Sequence, residues 1–335
     1  MSEKMIWGVL IHLGMNMWHD HYVDRIERDG IWAGIPDDDY LEHIRRQYQS
    51  ADHVRFDEKT WREVSESYAK NGVNAIVLDL GEAVVYPSHP ELAVRGSWPA
   101  DKLKAELRRL RTLGFEVFPK LNFSTTHCAW LGEYARMVST PGYYRVCADL
   151  IRDVCELFDG PRLFHIGMDE ESATHHTCCS ISVARQGELW WHDLDFLRTE
   201  VEKRGSRPWM WLDFVVEKAK ETKAFERLPK DVLMCPWYYG SDYESDKAWP
   251  VKAMCECVEH GYDILPSGSL CFFTEDSMER LARYCKGRFP ADQVKGFLVS
   301  PWLETCSFFK RRLIENGESL GRARRIYEAT CERKS

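Results

Sequence analysis

The chain has 335 residues, with 45 Lys and Arg against 53 Asp and Glu and a formal charge of −8 at pH 7. That length accommodates one large α/β unit or two smaller ones, and an acidic chain without a basic block interleaved with aromatics excludes nucleic acid as the expected partner. No apolar run reaches the length of a membrane span, and the 12 cysteines show no pairing pattern, so a soluble chain of the reducing cytoplasm is expected, with no membrane partner.

In chain order, the first apolar run covers 6–13; His12 interrupts it and no small-residue cleavage site follows, so it reads as a core strand and not a leader. A long polar excursion follows, from about 15 to 56. Residues 59–70 then place Trp61, Val64 and Tyr68 at helical spacing before a strand at 75–80. The helix over 101–113 carries Leu103, Leu107 and Leu110, with Gly114 where a C-terminal cap belongs. Strands are then predicted at 116–123, 163–168, 209–214, 232–237, 263–266 and 296–302. Helices are predicted at 141–158, 188–203, 251–260, 277–284 and 318–328, with a weak one at 216–228.

These strands are near-continuously apolar instead of alternating, as expected of parallel strands covered on both faces. Eight strand–helix units with no linker or repeat between them predict a single (β/α)8 TIM barrel over residues 1–335, its long first loop lying over the C-terminal mouth. The alternative, a doubly wound two-domain arrangement, finds no compositional boundary to support it.

The fourth strand ends in Phe164-His165-Ile166-Gly167-Met168-Asp169-Glu170-Glu171. Adjacent carboxylates in a partly dry cleft cannot all ionise freely, so one can hold a proton while its neighbour stays charged. Catalytic groups of this fold sit where strands end, which is where Asp169 and Glu170 lie. Neighbouring strand residues point to opposite sides, so both can face the mouth only if the strand is ending or bulged, a distortion Gly167 makes inexpensive. Other strand ends carry aromatic and acidic groups: Trp211 and Asp213 after the fifth, Trp237-Tyr238-Tyr239 after the sixth, Trp302 and Glu304 after the eighth. Aromatic faces and carboxylates together suit a sugar, whose C–H surface stacks and whose hydroxyls donate.

His165-Ile166-Gly167-Met168-Asp169-Glu170 resembles the His-x-Gly-Gly-Asp-Glu signature of family 20 glycoside hydrolases, the β-N-acetylhexosaminidases. The likeness extends in order from about Lys70 to Glu304. Pro119 through His127 is similar to the stretch bearing that family's Pro-Glu-Ile-Asp-x-Pro-Gly-His motif, Trp211-Leu212-Asp213 to its strand-five Trp-x-Asp/Glu, and Trp302-Leu303-Glu304 to its strand-eight Trp-x-Glu. The resemblance implies an exo-acting glycosidase for a small oligosaccharide or glycoconjugate, working without cofactor or metal. Glu170 would protonate the glycosidic oxygen, and Asp169 would orient a substrate 2-acetamido group acting as internal nucleophile. His127 would stand behind the pair, Trp211, Trp237 and Trp302 would wall the sugar pocket, and Glu304 would accept from its hydroxyls.

The sequence departs from that pattern at several places. The strand-three Glu and Asp are here Lys120 and Asn122, Ser124-Thr125-Thr126 replaces Pro-Gly, and Met168 replaces the second glycine. The strand-one arginine and strand-seven Asp-x-Tyr have no counterpart, leaving Tyr238 or Tyr239 as the tyrosine available. Other functions consistent with the same residues are a retaining glycosidase with Asp213 or Glu304 as nucleophile, a non-catalytic sugar-binding barrel, and a metal-dependent hydrolase. The last would draw ligands from His12, His19, His21, His165 and the run His175-His176-Thr177-Cys178-Cys179.

Overall fold

The structure is a computed structural model that describes residues 4–20, 37–172, 175–178, 180, 182–212, 223–243, 248–271 and 275–329. Eight strands stand at its centre: β1 (Ile6–His12), β2 (Ala75–Asp79), β3 (Glu116–Lys120), β4 (Leu163–His165), β5 (Arg207–Trp211), β6 (Leu233–Cys235), β7 (Ser267–Gly268) and β8 (Gly296–Val299). All pair in parallel, in the order β6-β5-β4-β3-β2-β1-β8-β7. Parallel bridges Met234–Ile264 and Trp237–Ser267 close the remaining seam between β6 and β7. The result is a (β/α)8 TIM barrel.

Around it lie α1 (Asp38–Tyr48), α2 (Glu58–Lys70), α3 (Ala100–Thr112), α4 (Pro141–Leu157), α5 (Glu188–Glu202), α6 (Ala224–Arg227), α7 (Trp249–Glu259), α8 (Ser277–Cys285) and α9 (Lys310–Glu328). Gly114 ends α3 at φ 91°, and the Phe115 N–H returns to Leu110 O at 3.2 Å, the closure that a left-handed residue after a helix permits. Helix α1 lies within the first polar excursion, where no helix was expected. Of the weak helix expected at 216–228, the described part holds only α6. None of the described helices is long and apolar enough to cross a membrane.

The seventh strand falls later than the sequence predicts. Within 263–266 only Ile264 forms isolated bridges, and Pro266 has no N–H for a ladder, so the paired strand begins at Ser267.

Two separate cores explain why the strands do not alternate in polarity. Leu10, Val77, Phe118, Leu163, Trp209 and Leu298 fill the barrel interior. Val9, Ile76, Val117, Phe164, Met210 and Val299 face the helices. Two residues beyond the interior layer, on the same inward face, apolar side chains give way to His12, Asp79, Lys120 and His165, all buried. The Lys120 ammonium donates to Asp79 Oδ2 at 2.5 Å, and His12 Nδ1 meets the same oxygen at 3.2 Å. Burial alone would raise the Asp79 carboxyl, but Lys120 and His12 outweigh it and hold it below its ordinary value. This charged layer is the floor on which the mouth is built.

Candidate active site at the mouth of the barrel

The paired part of β4 ends at His165, three residues before the expected end, because the backbone turns left-handed there. Gly167, Met168 and Glu170 have φ of 75°, 70° and 54°. Such values cost a non-glycine residue on the order of 1 kcal/mol or more, and here they let Asp169 and Glu170 both reach the mouth despite being neighbours. Glycine is required at 167: a Cβ there would lie 1.9 Å from Asn122 Oδ1. Its N–H donates to His165 Nδ1 at 3.0 Å. His165 itself is fully buried between Trp209 and Trp211, and desolvation holds its pKa well below the ordinary value, so it is a neutral core histidine.

The departures in strand three acquire a purpose in this setting. Asn122 Nδ2 donates to Asp169 Oδ1 at 2.9 Å, while Asn122 Oδ1 accepts from Ser124 N at 3.0 Å. An amide does both, as an ionised carboxylate cannot. Ser124 Oγ donates to Asp169 O at 2.5 Å and Thr126 Oγ1 to Glu170 O at 3.1 Å, so the Ser-Thr-Thr run latches the backbone of the acid pair.

The third acid of the block is structural. Glu171 accepts from Arg185 at 2.5 and 3.0 Å and from Thr125 N at 3.0 Å. Arg185 also donates to Asp193 Oδ2 at 3.0 Å and Phe123 O at 2.7 Å, and neither the Glu171 nor the Arg185 side chain is exposed. Met168 Sδ packs against the same guanidinium at 3.2 Å.

Asp169 and Glu170 converge on His127, whose Nε2 is 3.2 Å from Glu170 Oε2 and 3.9 Å from Asp169 Oδ2. A second histidine reaches Glu170 from the solvent side: His175 Nε2 lies 3.5 Å from the same Oε2. Burial pushes the Glu170 carboxyl up, but hydrogen bonds from His127 and then His175 outweigh it and hold the group well below the carboxylate range. His127, lowered by burial, is raised overall by Asp169 and Glu170. Both shifts favour the imidazolium–carboxylate pair, not the protonated carboxyl that adjacent acids alone would predict. One donor atom each from His127, Asp169 and Glu170 lie within 4.8 Å of one another, the one set of this kind among the described residues. Of the other possible metal ligands, His12 is paired with Asp79 and His176 bonds Ser172 O and Thr125 Oγ1, while His21 and Cys179 lie outside the described residues.

Aromatic groups gather beside the acid pair. The Trp302 ring lies 5.8 Å from Trp211 and 5.3 Å from His12, and its Nε1–H donates to Tyr239 OH at 2.8 Å. Trp237 stacks on Tyr239 at 5.3 Å. Trp237 and Trp302 are half-buried, whereas Trp211 is almost wholly enclosed. Tyr238, one residue out of phase, turns outward to Tyr243 and donates to Asp242 O at 3.1 Å, so Tyr239 is the tyrosine that meets the mouth. Asp213 lies outside the described residues.

The first loop, expected over the mouth, contributes two residues that the sequence had not singled out, Trp18 and Gln47. Trp18, stacked on Tyr48 at 4.3 Å, presents its edge to His127 at 6.1 Å and Trp302 at 6.3 Å. Gln47 of α1 clamps the end of β8, donating to Trp302 O at 2.9 Å and accepting from Glu304 N at 3.1 Å. Burial raises the half-buried Glu304 carboxyl, partly offset by Arg55.

No protein-family model matches the chain, and no curated protein matches it. Solved structures do. The chain is similar to the β-N-acetylhexosaminidase of Bacteroides fragilis at TM-score 0.62 and 12% identity, over 94% of this chain and 65% of that one. A GH20 exo-β-N-acetylglucosaminidase from Vibrio harveyi, in complex with N-acetylglucosamine, matches at TM-score 0.57 and 14% identity over 81% of this chain and 52% of that one. The hexosaminidase of Streptomyces plicatus in complex with product matches at TM-score 0.59 and 19% identity, over 81% and 61%. The likeness is one of fold. The chain spans about half to two thirds of the length of these proteins.

Proposed function

We propose that this chain is a glycoside hydrolase of the family 20 kind, removing a terminal N-acetylhexosamine from a small oligosaccharide or glycoconjugate. The observation that carries the proposal is the convergence of Asp169 and Glu170 on His127 at the barrel mouth, beside Trp211, Trp237 and Trp302. Glu170 is the general acid: its Oε2 lies 3.2 Å from His127 Nε2, and a proton passed from that imidazole to Oε2 goes on to the leaving oxygen as the glycosidic bond breaks. Asp169, held by Asn122, is the group that orients and charge-stabilises the 2-acetamido nucleophile.

The spacing argues against inversion by this pair. An inverting pair stands ~6.5–9.5 Å apart to admit a water, and here carboxylate oxygens of the two residues lie within 4.8 Å. The similar folds of proteins described as hexosaminidases, one with N-acetylglucosamine bound, agree with this substrate class. The test is a panel of aryl glycosides with and without a 2-acetamido group. Turnover confined to the acetamido members is expected; turnover of plain glycosides alone would overturn the acetamido role.

A further inference from the structure

We infer that His127, Asp169 and Glu170, with His175 as a fourth donor on the solvent side, form a binding site for a zinc-class divalent cation whose occupancy excludes the catalytic proton. The cation site goes beyond the hydrolase proposal and stands without it, while the exclusion of the proton rests on that proposal.

Spacing is the first argument. Zinc bonds of ~2.0–2.1 Å in tetrahedral array place donor atoms roughly 3.3 Å apart. The nitrogen–oxygen separations here are 3.2 Å (His127 to Glu170), 3.5 Å (His175 to Glu170) and 3.9 Å (His127 to Asp169). The donor atoms of His127, Asp169 and Glu170 already lie within 4.8 Å of one another, whereas His175 meets only Glu170 and swings inward to complete the set.

The far side of each donor is the second argument. Metal-bound imidazoles characteristically hydrogen-bond through the other ring nitrogen, which fixes their orientation. His127 Nδ1 is 2.9 Å from Thr126 Oγ1 and His175 Nδ1 is 2.7 Å from Ser172 Oγ. Asp169 Oδ1 takes the Asn122 amide, leaving Oδ2 turned toward His127. Two carboxylates and two neutral imidazoles balance a charge of +2, and two nitrogen donors select a zinc-class ion over magnesium, which demands octahedral oxygen. The Glu170 and His175 side chains are 29% and 41% exposed.

The consequence follows from shared atoms. Glu170 Oε2 cannot hold an ion and deliver a proton to a leaving group, so a bound cation silences acid catalysis.

The test is zinc chloride titrated by calorimetry into the chelator-stripped full chain, with magnesium chloride as control. One zinc per chain and no magnesium heat are expected, with cobalt giving the intense visible bands of a four-coordinate site. Ser172→Ala, which releases the His175 ring, is expected to weaken zinc ~10–100-fold, and His175→Ala by at least tenfold, both with unchanged circular dichroism. No stoichiometric zinc, or zinc binding indifferent to both substitutions, would overturn the site. Zinc that binds and accelerates glycoside turnover would overturn the exclusion. Zinc binding in a chain that hydrolyses no glycoside would leave the cation site standing and sink the hydrolase proposal together with the exclusion.

Discussion

Asn122 donates its side-chain amide to Asp169 across 2.9 Å, both groups being buried, at the position where the family 20 pattern carries an aspartate. Restoring the acid with Asn122→Asp would set two carboxylates against each other and remove the only donor in that contact. A buried group left without its hydrogen bond costs ~1–3 kcal/mol. The variant should therefore lose several degrees of thermal stability at pH 7, with much of the loss recovered at lower pH as one of the two acids protonates. Thermal unfolding at two pH values reads the effect.

Arg185 and Glu171 make a parallel case for the frame of the site. Removing one partner of a buried ion pair costs ~3–5 kcal/mol because the other charge is left uncompensated. Arg185→Met should show that loss in urea unfolding, and Arg185→Met with Glu171→Leu should recover part of it. Equal stability of single and double variants would mean that the pair is not coupled.

The floor gives a pH dependence whose sign is fixed. Asp79 is held below its ordinary pKa by Lys120 and His12 against the opposing pull of burial. A depressed carboxyl contributes stability above its unfolded pKa of ~3.9, and that contribution drains away as pH falls through the folded value. Wild-type protein should thus weaken on the acid side of about pH 4. Lys120→Met reverses the slope for this group: a buried Asp79 left with His12 alone loses its ammonium partner at a cost of up to ~3–5 kcal/mol at pH 7, and the penalty shrinks as acid neutralises it. Chemical unfolding from pH 3 to 7 distinguishes the two curves.

Asp169→Asn keeps the size of the side chain and its contact with Asn122 while removing its charge. On the proposed mechanism, turnover of N-acetylated aryl glycosides should fall by ~10²-fold or more, in kcat rather than KM, because there the charge is needed only as the acetamido group becomes cationic. An equal loss on plain glycosides would argue against participation of the acetamido group.

Much of this was legible in the sequence, for physical reasons that can be named. Parallel strands buried on both faces are apolar throughout, so all eight barrel strands were visible, although the seventh was placed early because Pro266 sits in an apolar run that lacks a ladder. The acid pair announced itself by lying at a strand end. Glu171 did not, because its partner Arg185 lies 14 residues away with no periodicity linking the two. Trp18 and Gln47 were hidden in a polar excursion whose helix, Asp38–Tyr48, packs a short stripe of Tyr40, Leu41, Ile44 and Tyr48 among charged residues. The choice between Tyr238 and Tyr239 turned on a one-residue parity that composition cannot set. The left-handed residues Met168 and Glu170 were equally hidden, since neither residue type favours that conformation.

The decisive measurement is hydrolysis of a graded series of aryl N-acetylhexosaminides by wild type and Glu170→Gln. A general acid matters in proportion to how poorly the leaving group departs unaided, and such a group contributes ~10²–10⁴-fold. The substitution should cost that much on phenol-like leaving groups and far less on a dinitrophenolate, which needs no proton. A loss that is uniform along the series, or no loss at all, would show that Glu170 is not the acid.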